Sequence, residues 1–365
     1  LRLSQLTFMK KIRLGFIGTG NMGQMAHLRN YATLPNCEVV AMAELRPQLA
    51  AQVAKHWNIP EVYATDAELI AKAKVDAYVA IQCFWFHGGL LPAVIATGKP
   101  IMIEKPLAHS VEIAESLTAL SRQHSAPVYV AYHKRSDLAS VAAAEKIREW
   151  KASGKFGQMR YVRVTMPPGK WDAEGFSTRI VTDEKYPDMK ADAPPAGFDA
   201  EGAKRNFELT NFYIHQINLL RYLLDEDFKV TVADENGQYM GIRSKSGVSG
   251  ILEMAPYHTT QDWQESALVG FDKGYLKLDL PAPMVIDRPG KLQVFEDLGG
   301  SETPKLIEPV FAPWHAMRSQ AANFIRAVQG EKTPLCTAAE ATKDLEIARD
   351  FLRLQQKGAG IKLSF

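Results

Sequence analysis

Gly18-Thr19-Gly20-Asn21-Met22-Gly23 has the G-x-G-x-x-G spacing that lets a backbone wrap a pyrophosphate. In such a loop Gly18 permits the tight turn, Gly20 lets the backbone approach the ligand, and Gly23 brings helix and strand close together. Thr19, Asn21 and Met22 complete the candidate cofactor-binding loop. The apolar run Ile12–Ile17 before it reads as a strand and Met22–Thr33 as a helix. That helix start offers free N–H groups and a positive dipole end to phosphates. Glu44 lies 21 residues beyond Gly23, at the end of the next strand, Glu38–Ala43. A carboxylate there accepts from ribose hydroxyls and repels a 2′-phosphate, so the expected cofactor is NAD rather than NADP. Arg46, two residues on, could instead pair with such a phosphate.

Two further residues suit chemistry beside a nicotinamide. Moving a hydride from a carbinol carbon requires the O–H proton to leave and the oxygen to be stabilised as its charge changes. Lys105, in Glu104-Lys105-Pro106 after the strand Pro100–Glu104, is a cation suited to face that oxygen. Neighbours on a strand point to opposite sides, so Glu104 can face a different target, the nicotinamide ribose. His215 lies in an apolar helix with Phe212, Ile214, Ile217, Leu219 and Leu220. With a reference pKa of about 6.5, a histidine there can take and return the proton.

The elements that must position these groups change character along the chain. Over the first 130 residues, short apolar strands alternate with helices: Pro47 to about His56, a capping box at Thr65–Glu68, Gly89–Thr97 and Ser110–His124. Strands at Val75–Ile81, Pro100–Glu104 and Pro127–Tyr132 complete a doubly wound parallel sheet. Beyond Lys151 the strands Gln158–Thr165, Val230–Ala233, Val248–Met254, Ser266–Phe271, Tyr275–Leu280 and Lys291–Phe295 predict a large, mainly antiparallel open sheet. One helical insertion is expected near Asn211–Leu224, and closing helices at Pro313–Val328 and Ala338–Gln356. The fold class is α/β: a Rossmann domain over 9–133, an α+β domain over 134–330, and a C-terminal helix over 331–365 packing back on the first. The Pro- and Gly-rich stretch Pro167–Arg205 is too long for a plain connection and carries aromatics, so an ordered lid or an oligomer arm is expected.

Composition narrows the classes. The 365 residues carry 43 Lys+Arg against 41 Asp+Glu with no long basic run, which argues against nucleic acid or an anionic membrane as partner. An uncharged stretch, Ala77–Gly98, is broken by Gln82, His87 and Pro92 and reads as strand, loop and helix rather than a membrane span. Cys37, Cys83 and Cys336 have no metal-ligand spacing and cannot all pair, so free thiols in a cytoplasmic protein are expected. No apolar secretory core precedes Ile12, and Leu1–Phe8 reads as an extension before Met9. No motif suggests a metal.

With the glycine fingerprint, Glu104-Lys105-Pro106, the helix carrying His215 and the stretch Thr333-Pro334-Leu335 before Ala338–Arg349, the sequence resembles the Gfo/Idh/MocA oxidoreductases over nearly its whole length. The resemblance implies NAD(P)-linked oxidation or reduction of sugars, cyclitols and related polyols, in homodimers or homotetramers. It places Phe84, Trp85 and His87 on the loop that lines the cofactor. Many members carry an Asp one turn before the histidine, on one helix face by i,i+4 spacing; this chain has Asn211. An amide can hold a substrate hydroxyl but carries no charge to raise a histidine pKa, and Glu208 could compensate. Tyr132, His133, Lys134 and Arg135 follow the sixth strand; the cationic cluster could bind an acidic sugar substituent, face the cofactor, or be solvated. Trp171, Arg179, His258 and Trp263 could face a sugar or simply pack.

The expected function is an NAD-dependent oxidoreductase for a sugar, sugar acid or cyclitol, with Lys105, His215 and Asn211 catalytic. Two alternatives stand: redox-neutral, NAD-dependent glycoside cleavage by oxidation, elimination and re-reduction, and a non-enzymatic NAD-sensing regulator. The open face of the second sheet is the expected oligomer contact.

Overall fold

The computed structural model describes residues 10–356 and Gly358; the Leu1–Phe8 extension lies outside the described residues. The first sheet holds β1 (Ile12–Ile17), β2 (Cys37–Ala43), β3 (Glu61–Tyr63), β4 (Ala77–Ala80), β5 (Ile101–Ile103) and β6 (Val128–Val130). Their spatial order is β3-β2-β1-β4-β5-β6, all parallel. The order reverses between β1 and β4, so a crevice opens above their carboxyl ends, where this class of sheet binds ligands. Both faces are covered at the centre of the sheet, where every residue of β4 and β5 is buried.

The helices between these strands start and stop where local chemistry dictates. A π-helical turn, Gly23–Leu28, follows the glycine loop and runs into α1 (Arg29–Tyr31). Next come α2 (Pro47–Trp57), α3 (Asp66–Lys72), α4 (His87–Ile95) and α5 (Val111–Gln123). Pro47 opens α2, and Asn58 ends it in the left-handed region at φ 54°. Thr65 Oγ1 accepts from Glu68 N at 3.2 Å, and Glu68 answers by accepting from Ala64 N.

After α6 (Leu138–Ser153) the chain builds the second sheet: β7 (Met159–Met166), β8 (Phe228–Ala233), β9 (Tyr239–Ser244), β10 (Ser249–Met254), β11 (Glu265–Phe271), β12 (Gly274–Leu280), β13 (Lys291–Glu296) and β14 (Lys305–Ile307). Its order is β14-β13-β12-β11-β7-β10-β9-β8, antiparallel except between β7 and β10. Val162, Val164, Leu252, Ala267, Val269 and Leu278 are buried on one face, against α6 and the helix α8 (Ile214–Leu224). The opposite face, by register, carries Tyr161, Arg163, Ile251, Leu268, Tyr275 and Phe295.

Two expectations need correction. The helical insertion is a pair, α7 (Ala200–Phe212) and α8, broken at Tyr213 with φ −107° and ψ 0°. Asn211 and His215 therefore sit on either side of a break and not on one helix face. The irregular stretch is also shorter than 167–205, because Asp199 caps α7 by accepting from Gly202 N at 2.8 Å.

The chain closes through α9 (Ala316–Val328), β15 (Cys336–Thr337) and α10 (Ala338–Gln356). β15 pairs antiparallel with β6 and becomes the outer strand of the first sheet. α10 packs on α5, and also on α7, α8 and β8.

Candidate active site

A cavity of about 960 Å³ runs from the glycine loop, past the ends of β2 and β4, to α7 and α8. At its first end the three glycines behave differently. A Cβ on Gly18 would lie 2.4 Å from Ile81 O, and one on Gly23 would lie 2.3 Å from Gly18 O, so neither position admits a side chain. A Cβ on Gly20 would meet nothing nearer than Arg46 Nη2 at 3.9 Å. The cradle thus has a free space above Gly20, at the start of a helix, as a dinucleotide pyrophosphate requires.

Glu44 is held from below. Its Oε2 accepts from Thr19 N at 2.9 Å and Thr19 Oγ1 at 3.0 Å, and its Oε1 from Arg46 Nε at 2.8 Å. Burial alone would raise its pKa, but the Arg46 hydrogen bond, the Thr19 N–H and the Arg46 charge outweigh it and hold the carboxyl below its ordinary value. Thr19 does not line the cavity; it is fully buried and orients Glu44. Asn21 and Met22 do line it.

At the other end, Glu104 and Lys105 follow β5 and diverge. Glu104 Oε1 lies 2.7 Å from His27 Nε2, while Oε2 accepts from Lys105 N at 2.9 Å. Burial works against the Glu104 charge, yet His27 and Lys105 keep its pKa below the usual carboxylate value. Lys105 Nζ donates to the Asn211 backbone carbonyl at 2.6 Å and lies 3.4 Å from Asn211 Oδ1. Burial lowers the Lys105 pKa, Glu104 opposes this, and the Lys134 charge adds to it.

His215 lines the cavity with its Nδ1 buried and without a partner. Its ring packs edge-on against His133, centroids 4.7 Å apart, and against Tyr132 at 5.7 Å. Burial drives both histidines well below the ordinary histidine pKa; for His215 the charges of His133, Lys105 and Lys134 act in the same direction. Burial and these charges together favour the neutral imidazole at His215.

The other candidates divide. Phe84 and Trp85 line the cavity and pack on Phe207, centroids 5.2 and 5.4 Å away. His133, Lys134, Trp171, Glu208 and Trp263 also line it. His87 does not: it is fully buried, with Nδ1 2.9 Å from Leu107 O, and anchors the loop after β5. Tyr132 is likewise buried and supports the His215 ring from outside the cavity. The His-Lys-Arg cluster splits, because Arg135 is turned away to Pro334 O and Glu340 and stacks on Tyr222 at 4.7 Å. Lys134 is paired with the buried carboxylate of Glu265, which also accepts from Gln216 Nε2 at 2.7 Å. Its ammonium group therefore already has a carboxylate partner within the protein. Arg179 donates to Phe176 O at 2.9 Å and does not line the cavity, and His258 is exposed elsewhere.

Several lining residues escaped sequence reasoning. Gln82 and Cys83 lie just beyond β4, after Ile81, and their place at a strand's carboxyl end was a usable signal. Tyr186 stood out as an aromatic embedded in the long irregular stretch, but His27, Met189 and Gln320 had no such signal, because what brings them to the cavity is distant in sequence.

Residues 12–132 match the family model described as the oxidoreductase family with an NAD-binding Rossmann fold, Gfo/Idh/MocA. Over these residues the chain is similar to that family's nucleotide-binding domain. Inositol 2-dehydrogenase of Pseudomonas syringae pv. syringae (strain B728a) is 30% identical over 224 residues, 60% of this chain and 56% of the relative. The chain thus spans little more than half the length of the inositol 2-dehydrogenases it matches in this way. The rhizopine catabolism protein MocA of Rhizobium meliloti is 24% identical over 350 residues, covering 93% of this chain and 94% of the relative. Among solved structures, aldose–aldose oxidoreductase from Caulobacter crescentus, complexed with glycerol, superposes with a TM-score of 0.69 at 17% identity, covering 96% of this chain and 98% of that one. Levoglucosan dehydrogenase, in complex with NADH and levoglucosan, gives 0.69 at 18% identity, covering 95% and 98%. These likenesses establish the shared two-sheet fold. No helix among the described residues is long and apolar enough to cross a membrane.

Proposed function

We propose that the protein is an NAD-dependent oxidoreductase that transfers a hydride between nicotinamide and a hydroxyl-bearing carbon of a sugar, sugar acid or cyclitol. The observation that carries this reading is the convergence of Lys105, His215 and Asn211 on the cavity that begins at the Gly20 cradle. Gly20, Asn21 and Met22 would hold the pyrophosphate, and Glu44 the adenosine ribose, once Arg46 gives up its hydrogen bond. Glu104 would face the nicotinamide ribose. Bound NAD would supply or accept the hydride.

The chain's own residues handle the rest. Lys105 places an ammonium group, fixed by the Asn211 carbonyl, where the reacting oxygen gains charge. His215, held neutral by its surroundings, accepts the hydroxyl proton during oxidation and returns it during reduction. The Asn211 amide and Trp171 hold the ring, and the printed names of relatives, inositol 2-dehydrogenase and levoglucosan dehydrogenase, support a polyol or sugar. The test is incubation with NAD and a panel of sugars, cyclitols and glycosides, following both NADH and released sugar. Net NADH supports dehydrogenation; no change with any compound overturns it.

Asn211 favours one second reading. Without a carboxylate beside His215, the site lacks the charge expected of a simple dehydrogenase, and redox-neutral glycoside cleavage would appear in the same panel as sugar release without NADH. We further propose a homodimer or homotetramer built on the open face of the second sheet. The free thiols Cys37, Cys83 and Cys336 fit a cytoplasmic setting.

A further inference from the structure

The irregular segment between β7 and α7 crosses the mouth of the cleft and is tied down at three separate points of the first sheet's helices. At the first, Gln24 forms a two-way pair with Ile180: its Oε1 accepts from Ile180 N at 2.9 Å and its Nε2 donates to Ile180 O at 3.0 Å. At the second, the Glu184 carboxylate accepts from Gln48 N at 3.0 Å and Leu49 N at 2.9 Å, the first free donors of α2. At the third, Asp192 Oδ2 accepts from Gly88 N at 2.7 Å, and Asp192 N donates to Trp85 O at 2.7 Å. Gly88 is needed there, since a Cβ would lie 2.7 Å from Asp192 Oδ1. Two carboxylates thus occupy the starts of α2 and α4, while the helix start at the Gly20 cradle is left free.

Between the second and third ties the segment reaches into the cleft. Tyr186 donates from its hydroxyl to Gln82 Oε1 at 3.1 Å, and the Arg46 guanidinium lies 5.2 Å from the centre of its ring. Tyr186 and Met189 line the same cavity as Gly20, Glu44 and Arg46. The side of the cleft next to Glu44, where the nucleoside of a dinucleotide would lie, is therefore roofed by this segment.

We propose that residues 179–192 form a retaining strap: a bound nicotinamide adenine dinucleotide enters and leaves only when the strap lifts, so it dissociates slowly. This rests on the NAD reading above and adds a control of exchange that the glycine fingerprint alone does not provide. Of the three ties, Gln24 is itself bonded to the glycine loop, through Gly20 O at 2.9 Å and Thr19 O at 2.8 Å, whereas the Glu184 and Asp192 ties bond to the starts of α2 and α4. Loosening the Glu184 and Asp192 ties should raise the rates of both entry and release, since both pass through the lifted strap.

The test uses the full chain loaded with NADH and mixed with excess NAD, with release followed by NADH fluorescence. The double variant Glu184→Ala/Asp192→Ala should release NADH about tenfold faster than the unmodified protein, or more. Because that variant also removes two helix caps, a second measurement needs no substitution. Trypsin should cut at Lys185 and Lys190, both exposed on the strap, several-fold more slowly when NAD is bound. Equal release rates in the two proteins overturn the strap. Where the variant does not fold, cleavage of the unmodified chain at a rate indifferent to NAD overturns it. Absence of any NAD binding overturns both the strap and the proposed function, whereas NAD binding with unaltered release removes the strap alone.

Discussion

Lys105 Nζ donates a 2.6 Å hydrogen bond to the backbone carbonyl of Asn211, not primarily to its side chain. In an unbroken helix that carbonyl would accept from the N–H of residue 215. The break at Tyr213 releases it, and the lysine takes it up. The same break that separates Asn211 from the His215 helix therefore fixes the ammonium group at the junction of the two sheets. A backbone acceptor positions Lys105 without adding a negative charge.

Lys105→Met should leave NAD affinity within a few-fold, because Lys105 does not form the Gly20 cradle. Turnover should fall by about 10²-fold or more, the usual loss for a positioned electrostatic group. Binding titration and kcat on whichever substrate the panel identifies check this, and near-normal kcat would remove Lys105 from the mechanism.

Asn211→Asp should move both limbs of the kcat/KM profile to higher pH. A carboxylate whose oxygen starts 3.4 Å from Lys105 Nζ favours the ammonium form, so the alkaline limb rises by about one unit for roughly 1.4 kcal/mol of interaction. The acidic limb, assigned to His215, should rise by less, since the new charge lies across the Tyr213 break. Profiles of the unmodified, Asn211→Asp and His215→Ala proteins decide it; His215→Ala should lose the acidic limb together with most activity.

Glu44→Ala should narrow the preference for NAD over NADP and free Arg46 to meet a 2′-phosphate. Titration calorimetry with both dinucleotides measures it. Tighter NADP binding by the unmodified protein would reverse the cofactor assignment.

Leu268→Asp should dissociate the oligomer. Leu268 lies opposite Arg163 and Lys277 on the face of the second sheet that carries Tyr161, Tyr275 and Phe295, away from α6 and α8. Light scattering at micromolar concentration should give at least a dimer for the unmodified chain and a monomer for the variant. A monomeric unmodified protein would rule the contact out.

Stability should fall as the solution is acidified from pH 7 to 5. Burial, with the Arg29 and Arg318 charges, pushes His315 down to about 4 from the ordinary 6.5. The unfolded chain then binds the proton that the folded chain refuses, so stability is complete above about 6.5 and is lost as pH falls towards 4. His133 and His215 act in the same direction. His315→Gln should flatten the dependence of Tm on pH, and an unchanged slope would show that His315 does not contribute.

What was legible in the sequence was local. The glycine loop, its flanking strand and helix, and Glu44 lie within one βαβ unit, and their spacing alone sets their geometry. The break at Tyr213 was not legible, because Asn211-Phe212-Tyr213-Ile214-His215 contains no glycine or proline and continues an apolar helical pattern. Residues whose roles depend on distant partners were equally hidden. His27 meets Glu104 across 77 positions, and Gln24 meets Ile180 across 156. Arg135 read as a third cation at the sheet end, yet Glu340, 205 positions away, draws it away from the cavity. The short strands β3 and β14, three residues each, carry too little pattern to stand out.

The pairing of Cys336 with Val130 also bears on how the chain is made. When β6 leaves the ribosome, the strand that will cover its outer edge is still about 200 residues from synthesis, about 10–40 s at ordinary elongation rates. Throughout that interval the nascent first domain presents an unpaired edge built from Val128, Tyr129 and Val130. Such an edge is a template for strands of neighbouring nascent chains. High-level expression should therefore tax chaperones throughout this stage of translation, during which α7, α8 and the whole second sheet are also being made.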